Sequence, residues 1–263
     1  MTKEDIDASE APLLDHLLEL RTRLIYCVVG FMATFIISFF YSSNILSLLI
    51  LPFKWGTGTD TGLISIKLLG VFLVKLKIAM FGGMFISFPL IATQLYRFVA
   101  PGLYKNERQA LFPYLIATPI FFVLGAALVY FFLLPVAIHF FYGLAASTGD
   151  AGQAAIQLMP DVEAYLDFVM MLILAFGLTF QLPVVLTLLG QIGIVTFDML
   201  TKGRRFAIVG VCALAALITP PDPISMIAMA VPLMGLYEIA VLAVRFLEKR
   251  RAKAQAVKDA ADA

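Results

Sequence analysis

Long stretches of this sequence contain no charged side chain. The uncharged runs are 24–43, 78–96, 109–148, 168–197 and 206–221, and a sixth apolar run, 223–244, holds a single charge, Glu238. A helix needs about 20 residues to cross ~30 Å of hydrocarbon. The sequence therefore predicts an all-α integral membrane protein with six transmembrane helices, at 24–43, 76–96, 109–141, 163–190, 205–218 and 224–244.

The composition excludes an ordinary soluble domain. Hydrophobic residues make up 61% of the 263 residues and charged residues only 14%, whereas a soluble domain carries roughly 25% charged residues. No change in composition divides the chain, so we expect residues 1–263 to form a single membrane domain.

The last two predicted spans are shorter than the others. Residues 206–218 provide 13 apolar residues, about 20 Å of helix, before the segment TPPDP at 219–223 stops regular helix. We expect two short helices joined by a tight turn, with a locally thinner bilayer beside them. The runs 109–148 and 168–197 exceed a perpendicular span, so we expect tilts or kinks at their prolines, Pro113, Pro119, Pro135 and Pro183.

The lysines and arginines predict the orientation of the chain. Fifteen of the 19 fall on one side of the membrane when the N-terminus is cytoplasmic, in segments 1–23, 97–108, 191–205 and 245–263. The other four flank or lie in the first outer loop, and they are Lys54, Lys67, Lys75 and Lys77. Because cytoplasmic loops carry an excess of positive charge, both termini are predicted to be cytoplasmic, the second as a solvated basic tail.

The outer segments differ in length and character. Residues 44–75 combine the apolar stretch ILSLLILPFKW with the turn GTGTDTG, which predicts a helix and a loop on the outer membrane surface with Trp55 at the interface. Residues 143–162 are mostly small, and 219–223 form a very tight turn. Outer loops of such unequal length predict a concave outer face.

The sequence contains no motif of an enzyme. It lacks G-x-S-x-G, H-E-x-x-H, a Walker loop and a dinucleotide fingerprint. Its two histidines, His16 and His139, lie at different depths and would underfill a metal site. Cys27 and Cys212 lie in apolar runs, where they serve as small hydrophobic residues. We therefore expect no enzyme activity, cofactor, metal or nucleic-acid partner.

Two polar side chains fall at membrane depth, Gln181 in FGLTFQLPV and Glu238 in GLYEIAV. Such groups face protein or water rather than lipid. Each either ties helices together through a hydrogen bond or lines a polar pocket for a substrate or partner, and the residues alone leave both interpretations open. A solute transporter is the rival function, although the two halves show no internal repeat of the kind many transporters have.

Two acids on the predicted cytoplasmic side each have two interpretations. Glu19 lies on the polar face of an amphipathic helix that leads into the first span, where it can pair with Arg23 at spacing four or bind a cationic partner. Glu107 follows Asn106, a predicted N-cap, so its charge suits the helix dipole. Together with Phe98 it is equally suited to an arginine, which forks onto a carboxylate and stacks on an aromatic ring.

Four separated segments resemble the signature segments of the TatC family, the multispanning receptor subunit of the twin-arginine protein translocase. They are HLLELRTRL at 16–24, FVAPGLYKNER at 98–108, FGLTFQLPV at 176–184 and LITPPDPIS at 217–225, in the order and at the spacing of the family. The resemblance extends over residues 12–248.

The resemblance implies the function of a receptor in protein transport. TatC proteins bind the twin-arginine signal peptides of folded precursors at the cytoplasmic face of the prokaryotic inner membrane. They work with single-span TatA-type and TatB-type proteins, self-associate in a complex, and use the proton-motive force rather than a nucleotide. Their six spans form a concave, glove-like bundle.

The matching positions imply roles for individual residues. The implied signal-peptide contacts are Glu19 and Glu107, which would bind the two arginines, with Phe98, Leu20 and Arg21 on the same surface. The implied structural or assembly positions are Pro52, Tyr130 and Asp222. Gln181 and Glu238 become candidate intramembrane contacts for a partner. Many relatives carry glutamate where this chain has Gln181, so proton transfer at this position is not expected here.

Overall fold

The computed structural model of the protein describes the backbone of residues 3–57, 63–99, 105–147, 160–218 and 223–261, and side chains within 16–57, 63–98, 113–143, 160–217 and 226–253. The helices in these segments are α1 (Lys3–Phe40), α2 (Ser42–Thr57), α3 (Gly70–Val99), α4 (Lys105–Leu128), α5 (Leu134–Ser147), α6 (Val162–Thr179), α7 (Leu182–Gln191), α8 (Phe197–Ile218) and α9 (Pro223–Ala261). A π-helical segment, Val129–Leu133, joins α4 to α5. The predicted all-α class is confirmed.

Five helical stretches of the described chain are long and apolar enough to cross a membrane. They are His16–Phe40, Gly70–Phe98, Pro113–Gly143, Val162–Gln191 and Met229–Arg251. The fifth predicted span, 205–218, lies in α8 and is not among them, because charged side chains occupy the first half of that helix, at Asp198, Lys202, Arg204 and Arg205. The chain is thus a helical membrane protein with several candidate spans.

Prolines divide two of the long helices. The π-helical segment ends two residues before Pro135, and a two-residue break at 180–181 ends two residues before Pro183. Proline has no N–H for the carbonyl four residues earlier, and its ring clashes with that carbonyl, so the preceding turn departs from α-helical geometry. Pro113 and Pro119, which were also predicted to kink the chain, lie inside the uninterrupted α4.

Helix α6 is the centre of the bundle. Val169 and Phe176 on this helix are at most 1% exposed. Helix α4 approaches it closely at two glycines: a methyl group on Gly125 would lie 2.8 Å from the backbone oxygen of Phe176, and one on Gly177 would lie 2.6 Å from the ring of Phe122. Small residues at such crossings allow transmembrane helices to pack backbone to backbone.

Helix α1 packs mainly on α3. The Thr34 hydroxyl donates a hydrogen bond to the carbonyl of Gly83 at 2.9 Å, and the missing side chain of Gly83 leaves room for the backbone of Phe35. Most other side chains of α1 are exposed on the surface of the protein. The helix therefore presents a broad apolar face that is suited to lipid.

Helix α2 is the helix predicted for the first outer segment. Leu49 and Phe53 are buried in the main core, whereas Trp55 is half exposed and stacks on Phe131 with 6.0 Å between ring centroids. The helix thus contributes to the core as well as lying at the surface. After it, the N–H of Ile64 donates to the Pro160 carbonyl at 3.2 Å, and this contact joins the segment before α3 to the start of α6.

The last two helices are longer than the two short helices predicted. Helix α8 has 22 residues and α9 has 39, because both continue through charged sequence that was assigned to loops. The basic tail continues α9, and its first residues contact the bundle. The Glu248 carboxylate accepts a hydrogen bond from the Phe197 N–H at 2.8 Å, and Arg251 donates to the Gly190 carbonyl at 3.3 Å. Asp222 and most of the TPPDP turn lie outside the described residues.

Candidate functional site: a charged groove and buried polar contacts

A groove of about 650 Å³ lies between the first turns of the described part of α1 and the last turns of α3. Its lining residues are Leu18, Glu19, Thr22, Arg23, Tyr26, Gln94 and Arg97. The groove forms because α1 and α3 pack together further along their length, and long polar side chains continue the contact beyond the apolar part of both helices. It brings a carboxylate, two guanidiniums and an amide to one accessible surface.

Glu19 is held by an arginine from the next turn of its own helix. The Nε of Arg23 donates to Glu19 Oε1 at 2.9 Å, and Nη2 of Arg23 also contacts this oxygen. The Nη1 of Arg23 reaches Gln94 Oε1 on α3 at 3.4 Å. The pair at spacing four is therefore present, and Gln94, which the sequence did not single out, ties it to the neighbouring helix.

The other implied signal-peptide contacts on α1 and α3 lie on the same two helices, outside the set of residues that line the groove. The ring of Phe98, at the end of α3, is stacked on His16 with 4.3 Å between centroids and 19° between planes. His16 Nδ1 lies 3.9 Å from the second oxygen of Glu19, so this histidine links Phe98 to Glu19. Leu20 and Arg21 are exposed on α1.

For Glu107, the second predicted acid, the structure describes the backbone. Glu107 lies in the first turn of α4, which begins at Lys105. Asn106 is consequently inside the helix rather than its N-cap, a difference of the size by which helix ends commonly vary. The side chains of Glu107 and Asn106 lie outside the described residues.

Gln181 lies at the break between α6 and α7 and contacts α4. Its Nε2 donates to the carbonyl of Thr118 at 3.0 Å, and the Thr118 hydroxyl is 2.9 Å from the hydroxyl of Tyr96 on α3. Gln181 Oε1 is buried and has no hydrogen-bond partner among the residues that the structure describes. A buried acceptor without a partner is uncommon and needs a reason. The amide thus ties helices together with one end and offers a free acceptor with the other.

Glu238 has a charged partner. Its carboxylate lies 2.8 Å from Nη2 of Arg204, and the two side chains are 41% and 43% exposed. Of the two interpretations left open for Glu238, this ion pair favours the one in which the side chain ties helices together, since Arg204 lies on α8 and Glu238 on α9. Glu238 and Gln181 contact different helices.

Pro52 and Tyr130 belong to one contact. Pro52 is buried inside α2 and cannot donate to the carbonyl of Leu48, four residues earlier. The hydroxyl of Tyr130 donates to that carbonyl instead, at 2.7 Å. A tyrosine from the π-helical segment therefore replaces the hydrogen bond that the proline removes.

A cluster of two lysines and two acids was missed from the sequence. Glu163 accepts from Lys67 at 2.8 Å and from Lys77 at 2.9 Å, and Lys77 also contacts Asp167 at 2.7 Å. The sequence did contain a pattern that could have predicted it. Glu163 and Asp167 lie four residues apart, on one face of a helix, and two of the four lysines outside the predicted cytoplasmic segments are the ones they bind. The cluster connects α3, α6 and the segment between α2 and α3.

The Lys67 ammonium lies outside the candidate spans, and its pKa is raised above the ordinary value of 10.5 by its hydrogen bond to Glu163 and by the charge of that carboxylate. A raised pKa in the folded state means that the pair stabilises the fold fully below the ordinary pKa and is lost only as the pH rises through the raised one. The Lys67 contact is accordingly intact throughout the neutral range.

These features define a class of protein: a multi-span helical membrane protein with a charged groove at the end of two helices and polar contacts between its buried ones. Within this class, the family model of the Sec-independent protein translocase protein TatC matches residues 15–232. The chain belongs to the TatC family.

Individual TatC proteins are similar in sequence to this chain along most of its length. The TatC protein of Magnetococcus marinus is 38% identical over 251 residues, which cover 95% of this chain and 90% of the relative. The TatC protein of Escherichia coli strain K12 is 34% identical over 235 residues, covering 89% and 88%. A crystal structure of the twin-arginine translocase receptor TatC matches with a TM-score of 0.76 and 32% identity, over 89% of this chain and 99% of that one. Membership of this family makes the chain a translocase component rather than an enzyme.

Proposed function

We propose that this chain is the twin-arginine signal-peptide receptor and core subunit of a Sec-independent translocase that exports folded proteins with the proton-motive force. The observation that carries the proposal is the groove around Glu19, which offers a carboxylate to solvent in a chain whose family includes a twin-arginine translocase receptor. Arg23, which lines the groove, already donates to Glu19, so the geometry around this carboxylate suits a guanidinium.

Two carboxylates suit two arginines. A guanidinium presents a planar fork that can bind both oxygens of a carboxylate, whereas an ammonium is a point charge without a fork. Glu19 supplies one carboxylate, and Glu107, in the first turn of α4 and eight residues after the end of α3, is the proposed second one. Phe98 provides an aromatic face on which a guanidinium can stack.

The proposed topology has six spans with both termini in the cytoplasm of a prokaryotic cell, in the inner membrane. The excess of lysine and arginine on one side supports this orientation. Two of the four exceptional lysines, Lys67 and Lys77, are paired with acids, and this pairing supports their place on the outer side. The apolar half of α8 would be the fifth span, and the bundle would form the concave, glove-like shape.

Single-span proteins of the TatA and TatB types are the proposed partners, together with further copies of this chain. Gln181 is the proposed contact for a partner helix or for the inserted signal peptide, because its free Oε1 can accept a hydrogen bond from an incoming donor. Glutamine does not titrate, so this contact works without protonation. Glu238, already paired with Arg204, is proposed to hold α8 and α9 together beside such a partner.

Export assays test the proposal directly. We expect Glu107→Ala to abolish export of a twin-arginine precursor while the variant remains inserted in the membrane, because one of the two arginines loses its carboxylate. Asp198→Ala, which removes an acid from the first turn of α8, is the matched control. Normal export by the Glu107 variant would contradict the assignment of the site.

A further inference from the structure

The carboxylate proposed to bind a signal arginine is already bound to an arginine of this chain. Nε and Nη2 of Arg23 both contact Glu19 Oε1, with Nε at 2.9 Å. Only 21% of the Arg23 side chain and 32% of the Glu19 side chain are exposed. Because Nη1 of Arg23 also contacts Gln94 at 3.4 Å, its guanidinium is anchored on both sides of the groove.

The aromatic ring of the same site is covered in a similar way. His16 stacks on Phe98 in nearly parallel planes, 4.3 Å apart at the centroids. The same imidazole lies 3.9 Å from the remaining oxygen of Glu19. A planar nitrogen-rich ring thus occupies the kind of position on Phe98 that a guanidinium would take.

The geometry points to Arg23 as an internal competitor for the signal peptide, with His16 covering the adjacent aromatic face. An incoming arginine can engage Glu19 in a fork only by displacing the Arg23 contact. Binding therefore exchanges one guanidinium for another on Glu19. The net binding free energy is smaller than the peptide's contact with Glu19 would give alone, because the Arg23 contact is lost. This inference rests on the proposed receptor function and adds to it a self-occupied site that keeps weak cations out.

A positioning role for Arg23 would have the opposite consequence. If Arg23 served only to orient Glu19, its removal would leave the carboxylate mobile and weaken peptide binding. If Arg23 competes, its removal frees the carboxylate and tightens binding. The sign of the change therefore separates the two roles.

The test uses the full chain in phospholipid nanodiscs and a fluorescent synthetic peptide with a twin-arginine signal, compared with its twin-lysine counterpart. We expect Arg23→Gln to tighten twin-arginine binding by about two- to threefold, the size of a partly exposed ion pair at spacing four. Arg23→Lys, which keeps the charge but not the fork, should give a smaller gain. Arg97→Gln removes a different cation from the same groove, so it measures how much peptide affinity rises through reduced charge repulsion alone. That rise in affinity should be smaller than the rise caused by Arg23→Gln.

Three results would overturn the inference in distinguishable ways. If wild-type protein prefers the twin-arginine peptide but Arg23→Gln binds it equally or less well while unfolding at the wild-type temperature, Arg23 is not a competitor and the receptor function stands. If wild-type protein does not distinguish the two peptides, the proposed function fails and the competitor fails with it. In a Glu19→Gln background, Arg23→Gln should not increase affinity for the twin-arginine peptide. An increase as large as the one in the wild-type background would also contradict competition through Glu19.

Discussion

At the scale of single residues, partners matter more than position along the chain. Gln181 and Glu238 were equivalent in the sequence, since each is a polar group in an apolar run. In the structure Glu238 is paired with Arg204, whereas Gln181 keeps a buried oxygen without a partner. The half-satisfied amide is therefore the better candidate for a contact with another molecule.

Replacing Gln181 by leucine tests this contact. We expect Gln181→Leu to lower both export and co-purification of a TatB-type partner, because the variant loses the free acceptor as well as the bond to Thr118. Thr179→Val is a suitable control, since the Thr179 hydroxyl donates within its own helix, to the Ala175 carbonyl at 2.7 Å. Undiminished partner binding and export by the leucine variant would refute the proposed role.

The sequence predicted some of the groove and not the rest. The contact of Glu19 with Arg23 follows from helical spacing alone, which is a local property. Gln94 and Thr118 could not be predicted in this way, because they are ordinary polar residues that acquire a role only when helices distant in the chain meet. The stacking of His16 on Phe98 likewise depends on how α1 crosses α3.

At the scale of helices, a proline in one element is compensated by a tyrosine in another. Pro52 leaves the carbonyl of Leu48 without its usual donor, and the Tyr130 hydroxyl supplies a bond of 2.7 Å. Helix α2 also receives a hydrogen bond of 2.8 Å at the next carbonyl, Leu49, from Tyr165 on α6. Two tyrosines thus fix the helix of the first outer segment to the bundle.

A double-mutant cycle measures this compensation. We expect Tyr130→Phe to lower the free energy of unfolding by about 0.5–1.5 kcal/mol, the net contribution of a typical hydrogen bond. In a Pro52→Ala background the loss should be smaller, since the alanine N–H can donate to the Leu48 carbonyl. Thermal unfolding in detergent provides the measurement, and equal losses in both backgrounds would show that the two residues act independently.

Helix positions were easier to predict than helix ends. Apolar runs located the five candidate spans found in the described residues, and two prolines, Pro135 and Pro183, correctly marked where long helices are interrupted. The ends of α8 and α9 were wrong, because hydropathy indicates where a helix enters lipid and does not indicate where the helix stops. Charged residues such as Arg204 and Lys249 have good helix propensity, so α8 and α9 continue through them.

At the scale of the whole molecule, the distribution of charge supports one orientation. The lysines that departed from the predicted pattern include Lys67 and Lys77, which Glu163 and Asp167 pair. This cluster connects the first predicted outer segment, 44–75, to the start of α6. The basic residues of α8 and α9 belong to the segments that are proposed to be cytoplasmic.

Cysteine labelling tests the orientation. In a chain with Cys27 and Cys212 replaced by serine, we expect Ile66→Cys to react with a membrane-impermeant maleimide in intact cells, because Ile66 is 74% exposed in the proposed outer segment. Lys253→Cys, in the proposed cytoplasmic part of α9, should react only after the cells are permeabilised. The reverse pattern would contradict the proposed topology.

Site-specific photocrosslinking tests the receptor function most directly. Probes placed at Leu20 and at Phe98 would be exposed to a radiolabelled precursor with a twin-arginine signal or with a twin-lysine signal, with a probe at Trp55, in the proposed outer segment, as the control. We expect crosslinks from Leu20 and Phe98 that depend on the arginines, and none from Trp55. No crosslink from Leu20 or Phe98, or equal crosslinking of the two signals, would contradict a receptor for twin-arginine peptides in this groove.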